Sequence, residues 1–190
     1  MKGKREEIID CVIGMIEESG GGVDSISIRA IAEKMGISVG LINYYFKSKD
    51  LLMEECVNRF IGKIVESFPR YFEKYKDLNP LARLKKLSLL NLGFLLSHDQ
   101  IATISILSDL RSPSEGDNTE MTAEKYLSLV KDCLPKRSDE ELRPLTYRLV
   151  YSMQTSFLRR SVIKETLGID FSKKEDVEAY NDRLIDAIVR

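Results

Sequence analysis

Apolar residues recur at three- and four-residue spacing along most of the chain, and the two-residue alternation of a strand is sustained nowhere. Ile8, Ile9, Val12, Ile13 and Ile16 share one face and predict a first helix, which Gly20-Gly21-Gly22 ends. Ser27 and Ser38 fall where N-caps of two short helices belong, and Ser48 caps a long fourth. The ridge of that fourth helix is Leu52, Cys56, Phe60, Ile64 and Phe68, and Pro69 predicts a kink or a restart. Asn79-Pro80 opens a fifth helix with Leu84, Leu87, Asn91, Phe94 and Leu95 on one stripe. Helical pattern returns from Asp99 to about Arg111, and residues 112–118 read as a loop. A further helix covers roughly Thr119 to Leu134. Ser138 and Glu141 form a capping box for a helix that Gly168 ends, and Ser172 or Lys173 begins the last. The reading is an all-α chain of about nine helices.

Composition narrows the chemistry. Cys11, Cys56 and Cys133 are far apart and odd in number, which argues against a disulfide framework and a zinc site. His98 is the single histidine, so most metal and general-base constellations are unavailable. Its neighbour Asp99 points elsewhere on a helix, and no nucleophile stands beside the pair. No catalytic residue, metal or cofactor is expected, and the chain does not read as an enzyme. No apolar run is long enough for a bilayer, and the N-terminus lacks the apolar stretch of a secretion signal, so a cytoplasmic protein is expected.

The informative stretch runs from Ser27 to Phe46. Two short helices that cross closely need a small residue at the contact, which Ala32 supplies. Gly36, four residues on, suits a turn with positive φ. Ile42 returns to a shared core with Ile28, Ile31, Ile37 and Phe46. That spacing is the mechanical requirement of a helix-turn-helix. Val39, Gly40, Asn43, Tyr44 and Lys47 then lie on the other side of the third helix. Glycine permits close approach to a groove wall, Val39 offers a methyl surface to thymine, and Asn43 and Tyr44 offer hydrogen bonds to bases or phosphates. Lys49, at the start of the fourth helix, is placed to meet a phosphate. Residues 1–50 nevertheless carry seven Lys/Arg against eight Asp/Glu. Nucleic-acid binding must therefore rest on where the cations sit.

Ser27 to Leu52, and above all Gly36-Ile-Ser-Val-Gly-Leu-Ile-Asn-Tyr-Tyr-Phe-Lys-Ser-Lys-Asp-Leu-Leu52, resembles the N-terminal signature of TetR-family regulators. The resemblance implies a helix-turn-helix head over 1–47 and a ligand-binding and dimerisation body over 48–190. It implies repression of transcription relieved by a small molecule. By position, Arg29, Val39, Gly40 and Asn43 would approach bases, while Ser27, Tyr44 and Lys49 would hold phosphates. Position 43 is often tyrosine in the family, so Asn43 leaves open whether it reads a base or a phosphate.

In the body, the two C-terminal amphipathic helices carry more apolar surface than one core hides, which predicts a homodimer with Leu149, Met153, Phe157, Val177, Leu184 and Ile188 at its interface. Such a dimer would read a palindromic operator in double-stranded DNA. Tyr71, Asn91, Phe94, His98, Gln154 and Phe157 place polar or aromatic groups among apolar stripes and are candidate contacts for an effector of unknown identity.

Overall fold

The computed structural model describes residues 3–20 and 22–190. Among them the chain forms ten α-helices and no strand: α1 (Lys4–Glu18), α2 (Ile28–Met35), α3 (Val39–Tyr45), α4 (Lys49–Lys74), α5 (Pro80–Ser97), α6 (Asp99–Arg111), α7 (Asn118–Cys133), α8 (Asp139–Leu158), α9 (Arg160–Leu167) and α10 (Lys174–Val189). The all-α reading is correct, and most helix starts follow from local capping. Ser27, Ser38 and Ser48 each accept a backbone N–H three residues on. Ser138 and Glu141 exchange both bonds of the capping box.

Two details differ from the local sequence signals. The helix opened by Ser138 breaks at Arg159, giving ten helices where about nine are expected. No glycine or proline marks this break. There the Arg160 guanidinium donates to the Phe157 carbonyl at 2.8 Å and lies over the Phe157 ring, adding a side-chain donor at the end of α8. Pro69, conversely, neither ends nor restarts α4, which continues to Lys74. The ring removes one donor, to the Val65 carbonyl, but Val65 before it is buried, and Phe68 and Phe72 pack against the core of the second unit. That packing outweighs one lost bond. Of the expected glycine stop, Gly21 lies outside the described residues; α1 ends at Glu18 with Gly20 at φ 65°.

The chain divides into two compact units. The first takes residues up to Lys63 together with 98–113; the second takes 64–97 and 114–190. The first therefore extends beyond a 1–47 head, adding the start of α4 and all of α6. Its core is Ile8, Ile9, Val12 and Ile16 of α1 with Ile31, Ala32, Ile42, Phe46, Leu52, Cys56, Val57 and Ile101. Fully burying each such aliphatic side chain contributes about 1.5–3 kcal/mol before chain entropy is subtracted. The second unit closes over Leu84, Leu87, Tyr126, Leu129, Leu149, Met153, Ile185 and Ile188. There Tyr126 is wholly buried and donates to the Leu87 carbonyl at 3.3 Å; burial pushes its phenol well above the ordinary range.

Candidate nucleic-acid interface

The turn between α2 and α3 is closed by backbone geometry. Gly36 adopts φ 64°, its N–H returns to the Glu33 carbonyl at 3.2 Å, and the Ile37 N–H reaches the Ala32 carbonyl at 3.0 Å. This paired closure needs a left-handed residue at position 36, which glycine occupies without steric cost. Two residues later Ser38 caps α3 by accepting the Leu41 N–H at 3.1 Å. With Ile31, Ala32, Ile42 and Phe46 buried, the outward side of α3 is fixed by helical spacing.

The expected DNA-binding residues lie in the first unit, at the start of α2, along α3 and at the start of α4. Val39, Gly40, Asn43, Tyr44 and Lys47 are exposed, Tyr44 at 81% of its surface. An added side chain at Gly40 would meet nothing closer than the Ser38 hydroxyl at 3.8 Å, and its φ is ordinary. Nothing inside the described chain therefore requires glycine there. The bare backbone matters only to something approaching from outside. Ser27 and Arg29 are exposed at the start of α2, and the Ser27 oxygen that caps Ala30 keeps its hydroxyl proton to donate. Lys49 is half-buried and donates from Nζ to the Asp24 carbonyl at 3.3 Å, leaving further protons for a phosphate.

The near-neutral charge of this region resolves into segregated groups. Arg5 clamps Glu55 with both nitrogens at 2.9 and 2.5 Å, and Arg59 pairs with Glu6 and with Glu55. Lys4 pairs with Glu7 and Lys34 with Glu18. Arg5 also lies 5.0 Å from the centre of the Phe46 ring, against the end of α3. The Arg59 hydrogen bond holds the Glu6 carboxyl below its usual range, and Glu6 in turn raises Arg59. Among the described residues up to position 50, the cations outside ion pairs are Arg29, Lys47 and Lys49, all in or beside the helix-turn-helix. Burial pushes the Cys56 thiol up to about 12, so it is an inert filler of the core.

The second unit sorts the remaining expectations differently. Leu149, Met153, Phe157, Val177 and Ile188, expected at a dimer interface, are buried within the chain's own core, and Leu184 alone of the six remains partly open. The outward side of α8 and α10 is instead a groove of about 750 Å³, lined by Pro144, Tyr147, Arg148, Tyr151, Ser152, Thr155, Ser156, Tyr180 and Leu184. The stripe Tyr147, Tyr151, Thr155 recurs at four-residue spacing in the sequence but is less apolar than the stripe beside it. The six candidate effector contacts are divided between the two units. His98 belongs to the first unit and the others to the second, Tyr71 is exposed, and Phe157 is fully buried. Asn91 is partly buried, and Gln154 donates to Thr119 at 3.0 Å. Asp24 and Gln100, which hold the loop ahead of α2, carried no sequence signal, because their pairing joins positions 76 residues apart.

Comparison with known proteins agrees with this geometry. Residues 19–56 match the family described as bacterial regulatory proteins, tetR family. The chain is similar to the HTH-type transcriptional regulator BetI of Serratia proteamaculans (strain 568), 29% identical over 82 residues, which are 43% of this chain and 40% of that protein. It is similar to the HTH-type nicotine-responsive transcriptional repressor HdnoR of Paenarthrobacter nicotinovorans, 30% identical over 79 residues, 42% of this chain and 40% of that one. The match thus spans about 40% of the length of these curated relatives. Over nearly the whole chain the fold is like that of a TetR-family member from Streptomyces coelicolor A3, with a TM-score of 0.55, 18% identity and 99% of each chain covered. It is also like the transcriptional regulator FadR from Bacillus subtilis in complex with stearoyl-CoA, with a TM-score of 0.50, 17% identity and 98% of each chain covered. Residues 19–56, with their signature on an exposed helix-turn-helix, thus match the tetR family of bacterial regulatory proteins, and the chain shares the fold of solved proteins along nearly its whole length.

Proposed function

We propose that this chain is a cytoplasmic transcriptional regulator that binds an operator in double-stranded DNA as a homodimer and releases it when a small molecule binds. The observation that carries the reading is the exposed row Val39, Gly40, Asn43 and Tyr44 on α3, with the unpaired cations Arg29, Lys47 and Lys49 around it. A helix with a bare backbone near its start can approach base edges. Val39 and Asn43 are one turn apart and read them, while Ser27, Tyr44 and Lys49 hold the phosphates that fix the register.

Dimerisation is assigned to the outward groove of α8 and α10 rather than to the buried ridge beneath it. Tyr147, Tyr151, Tyr180 and Leu184 are large side chains left partly or wholly open there, and a two-fold axis would bring the same patch of each copy together. Effector release is supported by the nicotine-responsive relative and by the fold neighbour bound to stearoyl-CoA. The site for such a molecule belongs to the body of the chain.

Selection of duplexes from a random pool by the full chain tests the reading. The expected product is an inverted repeat with half-site centres about 34–36 Å apart. A pool that shows no enrichment after repeated rounds contradicts it.

A further inference from the structure

The segment 22–26 ahead of α2 sets where α2, and with it Ser27 and Arg29, is presented. Val23 and Ile26 are drawn into the core of the first unit. A side chain pulled inward takes its own backbone N–H away from water, where the group must find a partner or cost the chain a hydrogen bond. Within the loop, the Ile26 N–H turns back to the Val23 carbonyl at 3.2 Å and Ser25 Oγ donates to the Gly22 carbonyl at 3.2 Å. Neither serves the N–H groups of Val23 and Asp24.

Their acceptor comes from far along the chain. Gln100, in the first turn of α6, presents Oε1 to the Val23 N–H at 2.7 Å and to the Asp24 N–H at 3.3 Å, and its Nε2 donates to Asp24 Oδ2 at 2.7 Å. The Asp24 carbonyl then accepts from Lys49 Nζ at 3.3 Å. One neutral amide thus serves three groups of the loop, and the same loop orients the ammonium at the start of α4. The task needs a side chain that accepts at one end and donates at the other. Leucine would keep the stem and strand all three groups. Glutamate would keep the acceptor but set a second carboxylate against Asp24.

We infer that Gln100 is a positioning residue for DNA binding: it clasps the loop ahead of the helix-turn-helix and, through the Asp24 carbonyl, holds Lys49 where a phosphate would lie. The inference rests on the DNA-binding reading for what the clasp serves, while the clasp itself is measurable without DNA.

The test compares the full-length wild type with Gln100→Leu, Gln100→Glu, the double variant Gln100→Glu/Asp24→Asn, and Lys49→Ala. Amide exchange at Val23 and Asp24 is read by NMR. Affinity for the duplex recovered from a random pool is read across salt concentrations, well below each unfolding midpoint. Gln100→Leu is expected to speed exchange at both amides by about tenfold or more and to weaken the duplex roughly tenfold. Its salt dependence should flatten toward that of Lys49→Ala, a signature that a general loss of stability does not produce. Gln100→Glu should weaken binding as well. The double variant should restore both readouts, because a glutamate accepts from both backbone groups and from the new asparagine amide. Protected amides in Gln100→Leu would overturn the clasp. Open amides with unchanged affinity and salt slope would overturn its role in DNA binding, as would failure of the double variant to recover. A wild type that selects no duplex would overturn the DNA-binding reading and that role together, and the exchange rates would still decide whether Gln100 holds the loop.

Discussion

Gly36 and Gly40 sit four residues apart and do different work. At φ 64° Gly36 occupies a region that a side chain enters only with strain, although nothing lies within 4 Å of where a Cβ would stand. Gly36→Ala is therefore expected to lower stability by about 1–2 kcal/mol, through the backbone alone, in chemical denaturation. Gly40 has an ordinary backbone and room, so Gly40→Ala should leave stability nearly unchanged while weakening DNA binding. Glu6 makes a pH-dependent contribution. Its carboxyl is depressed by Arg59, so the stability it adds is complete above its ordinary value of 4.5 and is lost as the pH falls through the lower folded value. The gap in urea midpoint between wild type and Glu6→Gln should be present at neutral pH and close in strong acid. The role of Gly36 was legible in the sequence because it depends on a local turn. The pairing of Glu6 with Arg59 was not, because it joins α1 to α4 across 53 positions.

At the scale of helices, local chemistry and tertiary packing divide the outcome. Ser27, Ser38, Ser48 and the Ser138–Glu141 box cap the helices they were expected to cap, since an N-cap is satisfied within four residues. Pro69 does not restart α4, because buried Val65 precedes it and Phe68 and Phe72 pack against the second unit's core. Pro69→Ala should return a donor to the Val65 carbonyl and raise stability by about 1–3 kcal/mol, visible as a higher unfolding midpoint. The break at Arg159, where Arg160 reaches back to Phe157, carries no glycine or proline signal in the sequence. The stripe of α8 taken for an interface, Leu149, Met153 and Phe157, is core. The periodicity located an apolar face correctly but could not say whether a neighbouring helix or a second chain covers it. Tyr151→Asp should leave the fold intact and give monomers in sedimentation, because that side chain is exposed in the single chain. Leu149→Asp should instead unfold the chain, since an unpaired buried carboxylate costs about 3–5 kcal/mol.

For the whole molecule, thermodynamics constrains the proposed release of DNA by an effector whatever its route. If effector lowers DNA affinity by some factor, DNA must lower effector affinity by the same factor, typically a coupling of about 1–3 kcal/mol. The claim beneath it is that a chain with a net charge of −1 binds DNA because its cations are segregated. Arg5, Lys4, Lys34 and Arg59 are held by carboxylates, and Arg29, Lys47 and Lys49 are left at the helix-turn-helix. The most direct measurement is the affinity of the full-length chain for its selected duplex as salt is raised, with Lys49→Ala beside the wild type. Binding should fall linearly on a log–log scale, and Lys49→Ala should weaken it for all sequences while lowering the slope by about one. An unchanged affinity and slope in Lys49→Ala would contradict the docking of this surface on DNA.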